Sequence, residues 1–240
     1  MYKRQIQYQT GKMKFRDKLL TSTELVGTLS SIPVVVHAVN AANKFGPARA
    51  VLQQVLGVQK ERQLPEFDSA NFRSQGLPSY NHPVRDGAKS PGKVAVFSTC
   101  YVNYNEPGIG HDLLTLLDHN EIPYRIVQGE TCCGMPKLEL GDLQTVEKYK
   151  ERNIPLMHEL AQAGYAIVTP VPSCTLMFKS EIPLLFPEDA RCKAVSEAMY
   201  DPFEYFVLRN KDGLLDVYKR QLDERLVIEA TVDFVSGEAS

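Results

Sequence analysis

The chain has 240 residues, of which 43% are apolar and 23% charged, a composition typical of a soluble globular protein. The formal net charge is −2, so no overall positive potential favours nucleic-acid binding. The longest apolar run, residues 32–39, is too short to span a bilayer, and the polar residues after Met1 do not resemble a signal peptide. We therefore expect a cytoplasmic protein whose five cysteines serve metal binding or redox chemistry rather than disulfides.

The tetrapeptide Tyr-Lys-Arg-Gln occurs twice, at residues 2–5 and 218–221. The two copies share no flanking pattern, which argues against a structural repeat. The sequences "MYKRQ" and "DVYKRQ" are both encoded by the transposon end that is used to prepare sequencing libraries. We therefore interpret residues 1–5 as an adapter-derived scar and residues 216–240 as an adapter-derived or unrelated tail, and exclude both from the fold prediction.

Residues 6–60 are predicted to form an amphipathic helical arm. Apolar residues recur at helical intervals, Pro33 and residues 45–47 divide the arm, and Gly57 ends its last helix. Packing of this arm against a neighbouring domain is one interpretation. A contact with a partner subunit or a membrane surface through residues 15–56 is the other, because basic residues flank the first helix. Residues 61–92, rich in Pro, Gly, Ser and Asn, are predicted to be a linker.

From residue 93 onward, short apolar runs alternate with helical patterns. Strands are predicted at 93–98, 124–128 and 165–170, and helices at 111–120 and 142–163, the latter with Asp142 as its cap and a restart at Pro155. Further helices follow towards residue 215. Strands joined by helical crossovers predict an α/β fold with a small parallel sheet flanked by helices.

Four of the five cysteines directly follow the three predicted strands: Cys100, the pair Cys132 and Cys133, and Cys174. The carboxyl ends of parallel strands share one edge of the sheet, where ligands bind. We therefore expect these four thiols to converge and to hold an iron–sulfur cluster or a structural zinc ion. Cys192 follows no such pattern and is predicted to be structural.

Two adjacent cysteines favour the cluster over zinc, because neighbouring side chains do not easily reach one tetrahedral ion. In the stretch "CCGMP", Gly134 permits an unusual backbone angle and Pro136 stiffens the exit, so that backbone N–H groups can point at sulfur. Residues 103–105, Asn-Tyr-Asn, are further candidates to hydrogen-bond the cluster, with turn formation as the equal alternative. The histidines are isolated in the sequence, and no Gly-rich phosphate loop indicates a nucleotide cofactor.

The stretches "FSTCYVNYNEPGIGHDLLTLLDHN", "CCGMPKLELGD" and "VPSCTLMFK" resemble the cysteine-rich CCG domain. That domain occurs in the B subunit of heterodisulfide reductase, in iron–sulfur subunits of glycolate and lactate oxidation, and in the C subunit of anaerobic glycerol-3-phosphate dehydrogenase. Residues 12–215 are most similar to the last of these. The resemblance places the CCG domain at residues 93–215.

The resemblance implies an iron–sulfur electron-transfer subunit without catalytic residues of its own. Such a subunit accepts electrons from a flavin-containing dehydrogenase and passes them to membrane quinone, at the inner face of the cell membrane. Many relatives carry an additional cysteine where this chain has Val171, so a 4Fe–4S cluster on four cysteines is expected rather than a five-thiolate noncubane cluster. The ferredoxin-like part and the second CCG domain of intact relatives are absent from the sequence, which is interpreted as a fragment.

Three alternatives to the electron-transfer subunit remain from the residues alone. A structural zinc domain would be colourless and would hold one zinc ion. A thiol–disulfide enzyme would use Cys132 and Cys133, although a disulfide between adjacent residues is strained. An interaction module without a cluster would keep its binding after all four cysteines were replaced.

Overall fold

The structure is a computed structural model that describes residues 14–30, 32–62, 64–75 and 81–215. The interpretations of residues 1–5 and 216–240 therefore fall outside the described part of the chain. The described residues form two compact units. One unit contains residues 98–110 and 129–153 together with the described residues before position 78, and the other contains the remainder.

The second unit is built on a four-stranded sheet in the order β2-β1-β3-β4, with every pairing parallel. The strands are β1 (Val94–Val96), β2 (Tyr124–Ile126), β3 (Ala166–Val168) and β4 (Met199–Tyr200). All residues of β1 and β3 are buried, as expected for central strands covered on both faces. The predicted α/β fold with a small parallel sheet is confirmed, and β4 is an additional strand.

In the described part of the chain, eight helices follow β1, of which α5 and α7 lie in the first unit and were not predicted from the sequence. They are α5 (Cys100–Tyr104), α6 (Pro107–His119), α7 (Met135–Leu140), α8 (Leu143–Gln162), α9 (Pro172–Leu176), α10 (Ile182–Leu185), α11 (Ala190–Ala198) and α12 (Pro202–Lys211). A π-helical turn, Met177–Glu181, joins α9 to α10. The predicted restart at Pro155 is wrong, because α8 runs continuously through this residue. Asp142 caps α8 as predicted, since its Oδ1 accepts a hydrogen bond from the Thr145 N–H at 3.2 Å.

Part of the predicted linker packs in the second unit against α12. The buried Arg209 donates a hydrogen bond from Nη1 to the Arg85 carbonyl at 2.7 Å, and the Tyr205 hydroxyl donates to the Pro91 carbonyl at 2.8 Å. A capping box formed by Asp201 and Glu204 fixes the start of α12. These contacts give the residues that lead into β1 a fixed path within their unit.

The first unit contains the predicted helical arm. Its helices are α1 (Phe15–Leu20), α2 (Thr23–Ser30), α3 (Pro33–Lys44) and α4 (Gly46–Leu56), followed by a 3₁₀ turn at Phe72–Gln75. Phe45 separates α3 from α4, and Gly57 ends α4 with a positive φ of 69°, as the sequence predicted. Within the described residues, no helix combines the length and the apolar character that a membrane span requires.

Candidate metal centre

Three of the predicted ligands meet in the first unit. The Cys132 sulfur lies within hydrogen-bonding reach of the thiols of Cys100 and Cys133. Cys132 and Cys133 are 1% and 3% exposed, whereas Cys100 is partly exposed. None of the five cysteines forms a disulfide in the part of the chain that the structure describes. The first unit thus holds a compact group of three thiols, which we call the thiol cluster.

The thiol cluster lowers the pKa of Cys132 from 9.0 to about 3. The main cause is the hydrogen bond from Cys100, followed by the one from Cys133. Burial opposes them, while the Thr23 hydroxyl and the Gly134 backbone N–H add further hydrogen bonds that favour the anion. Cys132 is therefore a thiolate at neutral pH, the form that binds metals.

The turn after Cys133 has the geometry that the sequence predicted. Gly134 adopts φ 96°, a left-handed conformation that residues with a side chain rarely adopt, and Pro136 lies in the first turn of α7. Asn153, which is fully buried, holds the preceding residues in place. Its Oδ1 accepts from the Thr131 N–H at 2.9 Å, and its Nδ2 donates to the Cys132 carbonyl at 3.1 Å. Gly134 and Asn153 together fix the backbone that presents the adjacent cysteines.

Cys100 is positioned by a strained residue that the sequence did not reveal. Thr99, the N-cap of α5, has φ 63° and ψ 158°, a region of backbone conformation that is almost restricted to glycine. The Thr99 side chain is fully buried and accepts a hydrogen bond from the Val102 N–H at 3.3 Å. The residue directly before Cys100 therefore has an unfavourable backbone conformation, which persists only because the surrounding structure holds it.

A buried ion pair supports the segments that precede Cys100 and Cys132. Glu130, whose side chain is 1% exposed, forms an ion pair with Arg73, whose Nε lies 2.8 Å from Glu130 Oε1, and accepts a hydrogen bond from Ser98 Oγ at 2.8 Å. Arg73 Nε also lies 2.8 Å from Ser98 Oγ. Ser98 lies two positions before Cys100, and Glu130 lies two positions before Cys132. The triad therefore connects the two chain segments that lead to these candidate ligands. No sequence pattern pointed to it, since Arg73 lies in the predicted linker.

The amino-terminal helices also reach the thiol cluster. The Thr23 hydroxyl donates a hydrogen bond to the Cys132 sulfur at 3.3 Å. Lys137, which is 5% exposed, donates from Nζ to the hydroxyls of Thr21 at 3.0 Å and Ser22 at 3.2 Å. Burial lowers the pKa of Lys137, an effect that the charges of Asp142 and Cys132 oppose. Residues 21–23, which we call the α1–α2 turn, are therefore part of the site.

The fourth predicted ligand, Cys174, belongs to the second unit, where it lies buried in α9. The hydroxyls of Thr169 and Thr175 share a buried hydrogen bond of 2.5 Å beside it. The convergence of Cys174 with the thiol cluster stays a prediction. Cys192 is fully buried in α11, in agreement with a structural role.

The Asn-Tyr-Asn stretch has structural partners in the first unit. Asn103 Oδ1 accepts from the Arg73 backbone N–H at 2.9 Å, and Asn105 Nδ2 donates to the Glu66 carbonyl at 2.8 Å. The Tyr104 hydroxyl pairs with the Thr28 hydroxyl at 3.1 Å. These contacts tie α5 and the residue after it to distant parts of the unit, and a hydrogen bond from these residues to a cluster stays a prediction.

The donor set at the thiol cluster suits a thiolate-bound iron–sulfur group in its chemistry. It offers a stabilised thiolate and two further thiols, with a hydroxyl and a backbone N–H directed at one sulfur. Among the described residues, no set of three or more His, Cys, Asp or Glu side chains is arranged to hold a single metal ion.

Residues 94–179 match the family model of the cysteine-rich CCG domain. This part of the chain is a CCG domain. The match includes Cys100, the adjacent pair Cys132 and Cys133, and Cys174. It confirms the family that the sequence motifs indicated.

The chain is similar to three kinds of curated protein. The chain is 28% identical over 179 residues to the C subunit of anaerobic glycerol-3-phosphate dehydrogenase from Escherichia coli (strain K12), covering 73% of this chain and 43% of that protein. It is 30% identical over 129 residues to lactate utilization protein A of Bacillus subtilis (strain 168), covering 52% of this chain and 51% of the relative.

It is 32% identical over 102 residues to the B subunit of fumarate reductase (CoM/CoB) from Methanothermobacter marburgensis, covering 42% of this chain and 20% of the relative. The chain thus spans about half the length of these relatives or less. No solved structure matches the chain significantly.

Proposed function

We propose that this chain is an iron–sulfur electron-transfer subunit whose cluster is held by Cys100, Cys132, Cys133 and Cys174. The observation that carries the proposal is the thiol cluster within a CCG domain, with Cys132 already stabilised as a thiolate. Inclusion of Cys174 is supported by the parallel pairing of β1 with β3. Both strands end at the same edge of the sheet, and a candidate ligand follows each end within a few residues.

When bound, the cluster would supply one-electron transfer, which no amino-acid side chain of this chain provides. The residues around it have separate tasks. The cysteines would hold it as thiolates, and burial of Cys132 and Cys133 would keep water from their sulfurs. Gly134 directs its backbone N–H at the Cys132 sulfur. Because Val171 leaves four cysteines in the motif, a 4Fe–4S cluster is the proposed type.

The proposed electron donor is a flavin-containing dehydrogenase, and the proposed acceptor is membrane quinone. Similarity over 73% of the chain to the C subunit of anaerobic glycerol-3-phosphate dehydrogenase supports glycerol 3-phosphate as the substrate of that dehydrogenase. The alternative is a subunit of a lactate or glycolate oxidase or of a heterodisulfide-reductase-like complex. Similarity to lactate utilization protein A supports this alternative over a shorter stretch.

A peripheral contact with a membrane or a partner subunit is proposed for the helical arm. Val34 on α3 is 79% exposed, Phe45 between the two helices is 62% exposed, and Val55 on α4 is 65% exposed. Exposed apolar residues in this number mark interaction surfaces more often than isolated ones do. Co-sedimentation with anionic vesicles, compared for the wild type and a Val34→Ser/Val55→Ser variant, would test the membrane contact, and equal sedimentation would contradict it.

The cluster is tested by anaerobic purification and reconstitution with iron and sulfide. We expect a brown protein with iron and acid-labile sulfide, and loss of both in Cys132→Ser and in Cys174→Ser. Cys192→Ala is the matched control, since it removes a buried cysteine outside the proposed ligand set. A folded wild-type chain that binds no iron after reconstitution, or that retains one zinc ion instead, would overturn the proposal.

The donor is tested by electron transfer from candidate dehydrogenases to the reconstituted chain. Reduction of the chain by a flavin dehydrogenase supplied with glycerol 3-phosphate, and not by one supplied with lactate, is the expected result. The reverse preference would favour the lactate alternative.

A further inference from the structure

The α1–α2 turn directs a hydroxyl at a candidate ligand sulfur. Thr23 is the first residue of α2, and its hydroxyl donates to the Cys132 sulfur at 3.3 Å, across 109 positions of the sequence. Thr23 is partly buried, so water competes only partly for this hydrogen bond. Hydrogen bonds to an ionised acceptor are stronger than those between neutral groups, and a cysteine that binds a metal does so as a thiolate.

The buried Lys137 connects the same turn to the segment that follows Cys132 and Cys133 through hydrogen bonds. Lys137 Nζ donates to the hydroxyls of Thr21 and Ser22. Those hydroxyls in turn donate their own protons to carbonyls of α1, Thr21 to Asp17 at 2.8 Å and Ser22 to Lys18 at 2.6 Å. Each hydroxyl therefore accepts from the lysine and donates to the helix, which leaves the turn little freedom to rotate.

We propose that Thr23 adjusts the reduction potential of the bound iron–sulfur cluster through its hydrogen bond to Cys132, and that Lys137 is the positioning residue that holds Thr23 in place. The proposal rests on the proposed function, because it requires that Cys132 be a cluster ligand. It gives the amino-terminal arm a role inside the metal centre, in addition to any contact with a partner or a membrane.

The direction of the effect follows from charge. The reduced cluster carries one more negative charge than the oxidised cluster, so a hydrogen bond to a ligand sulfur stabilises the reduced form more. Removal of the hydroxyl should therefore lower the reduction potential. The net strength of one hydrogen bond corresponds to a change of roughly two- to tenfold in the ratio of oxidised to reduced protein.

The first experiment is a redox titration of the reconstituted full chain followed by its visible absorbance and its EPR signal. In Thr23→Val, which removes the hydroxyl and keeps the branched shape, we expect the oxidised-to-reduced ratio at the wild-type midpoint to rise about two- to tenfold. A tenfold rise corresponds to a fall of about 59 mV for one electron. Thr23→Ser, which keeps a hydroxyl, should restore most of the potential.

Thr115→Val is the matched control, because the Thr115 hydroxyl donates to the His111 carbonyl in α6 and the site is exposed. Its midpoint should equal that of the wild type. An unchanged midpoint in Thr23→Val with a full complement of iron and sulfide would overturn the role of Thr23 and leave the proposed function standing. A wild-type chain without iron would overturn both.

The positioning role of Lys137 is tested by a double-mutant cycle. Lys137→Met should lower the midpoint, because it removes both a nearby positive charge and the fastening of the α1–α2 turn. Adding Thr23→Val to Lys137→Met should then lower the midpoint less than it does in the wild type. Full additivity of the two changes would show that Lys137 does not act through Thr23. If Thr23→Val folds poorly, Thr23→Ala, which also removes the hydroxyl, replaces it in the titration and in the cycle.

Discussion

The triad of Arg73, Ser98 and Glu130 predicts a large cost when only its cation is removed. In Arg73→Met the Glu130 carboxylate, 1% exposed, would keep the Ser98 hydroxyl but lose its counter-ion. Removing one partner of a buried ion pair costs about 3–5 kcal/mol, because the remaining charge stays out of water. The Arg73 side chain is 22% exposed, which places the expected loss near the lower end, at about 3 kcal/mol.

The second variant separates the uncompensated charge from lost packing. In Arg73→Met/Glu130→Gln the amide oxygen can still accept from Ser98, and no charge remains buried. We therefore expect the double variant to recover about 2 kcal/mol relative to Arg73→Met, because an uncharged replacement of a buried pair is often nearly neutral.

The assay is urea unfolding of the metal-free chain under reducing conditions, followed by far-ultraviolet circular dichroism. The midpoint and the slope together give the free energy of unfolding. Lys44→Met is the control, because the Lys44–Glu66 pair of the same unit is 69% and 56% exposed and should contribute less than about 1 kcal/mol. A loss below about 1 kcal/mol in Arg73→Met, or a further loss on adding Glu130→Gln, would refute the reasoning.

Three further predictions follow from single residues. The pKa of Cys132 is about 3 in the folded chain and 9.0 when unperturbed. Between these pH values the Cys132 sulfur is therefore protonated in the unfolded chain and ionised in the folded chain. This contribution to the stability of the metal-free protein is complete above pH 9 and is lost as the pH falls towards 3. Ultraviolet thiolate absorbance should show the low midpoint in the wild type and lose it in Cys132→Ser; a midpoint of about 8.5 would contradict the assignment. In urea unfolding, the free energy of unfolding of Thr99→Gly should exceed that of Thr99→Ala by about 1 kcal/mol, because residue 99 has a positive φ. Alanine is normally the more stabilising of the two, and that order here would show that the site is not strained. Gly27→Ala should cost about 1–3 kcal/mol in the same assay, since a Cβ there would lie 2.2 Å from the Tyr104 ring; an unchanged midpoint would show that the ring moves aside freely.

The sheet was predictable because its central strands are short runs of buried apolar residues with clear turn signals around them. β4 was not predicted, since Met199–Tyr200 is only two residues long and lies between two helices. The continuity of α8 was also missed, because a proline usually ends or kinks a helix. In this structure Pro155 lies inside a continuous helix of 20 residues.

The candidate site was predictable where it depends on local sequence and not where it depends on distant contacts. The positive φ at Gly134 follows from the glycine itself, and the grouping of Cys100 with Cys132 and Cys133 follows from strand ends meeting at one edge. Thr23 and Arg73 carry no motif, and their contacts with Cys132 and Glu130 depend on tertiary packing. The strain at Thr99 is invisible in the sequence because threonine ordinarily avoids that conformation.

The contact between Thr23 and Cys132 sets an order of events during synthesis. The two residues are 109 positions apart, so the α1–α2 turn leaves the ribosome long before its sulfur partner exists. At ordinary rates of translation, about 5–20 residues per second, this delay is roughly 5–20 s. During that time the Thr23 hydroxyl can bond only to water or to nearby residues, and the turn gains its distant partners only when Cys132 and Lys137 have emerged. A nascent chain that stops before residue 132 therefore lacks the hydrogen-bond partners Cys132 and Lys137 of the α1–α2 turn. We expect chaperones to bind such a chain.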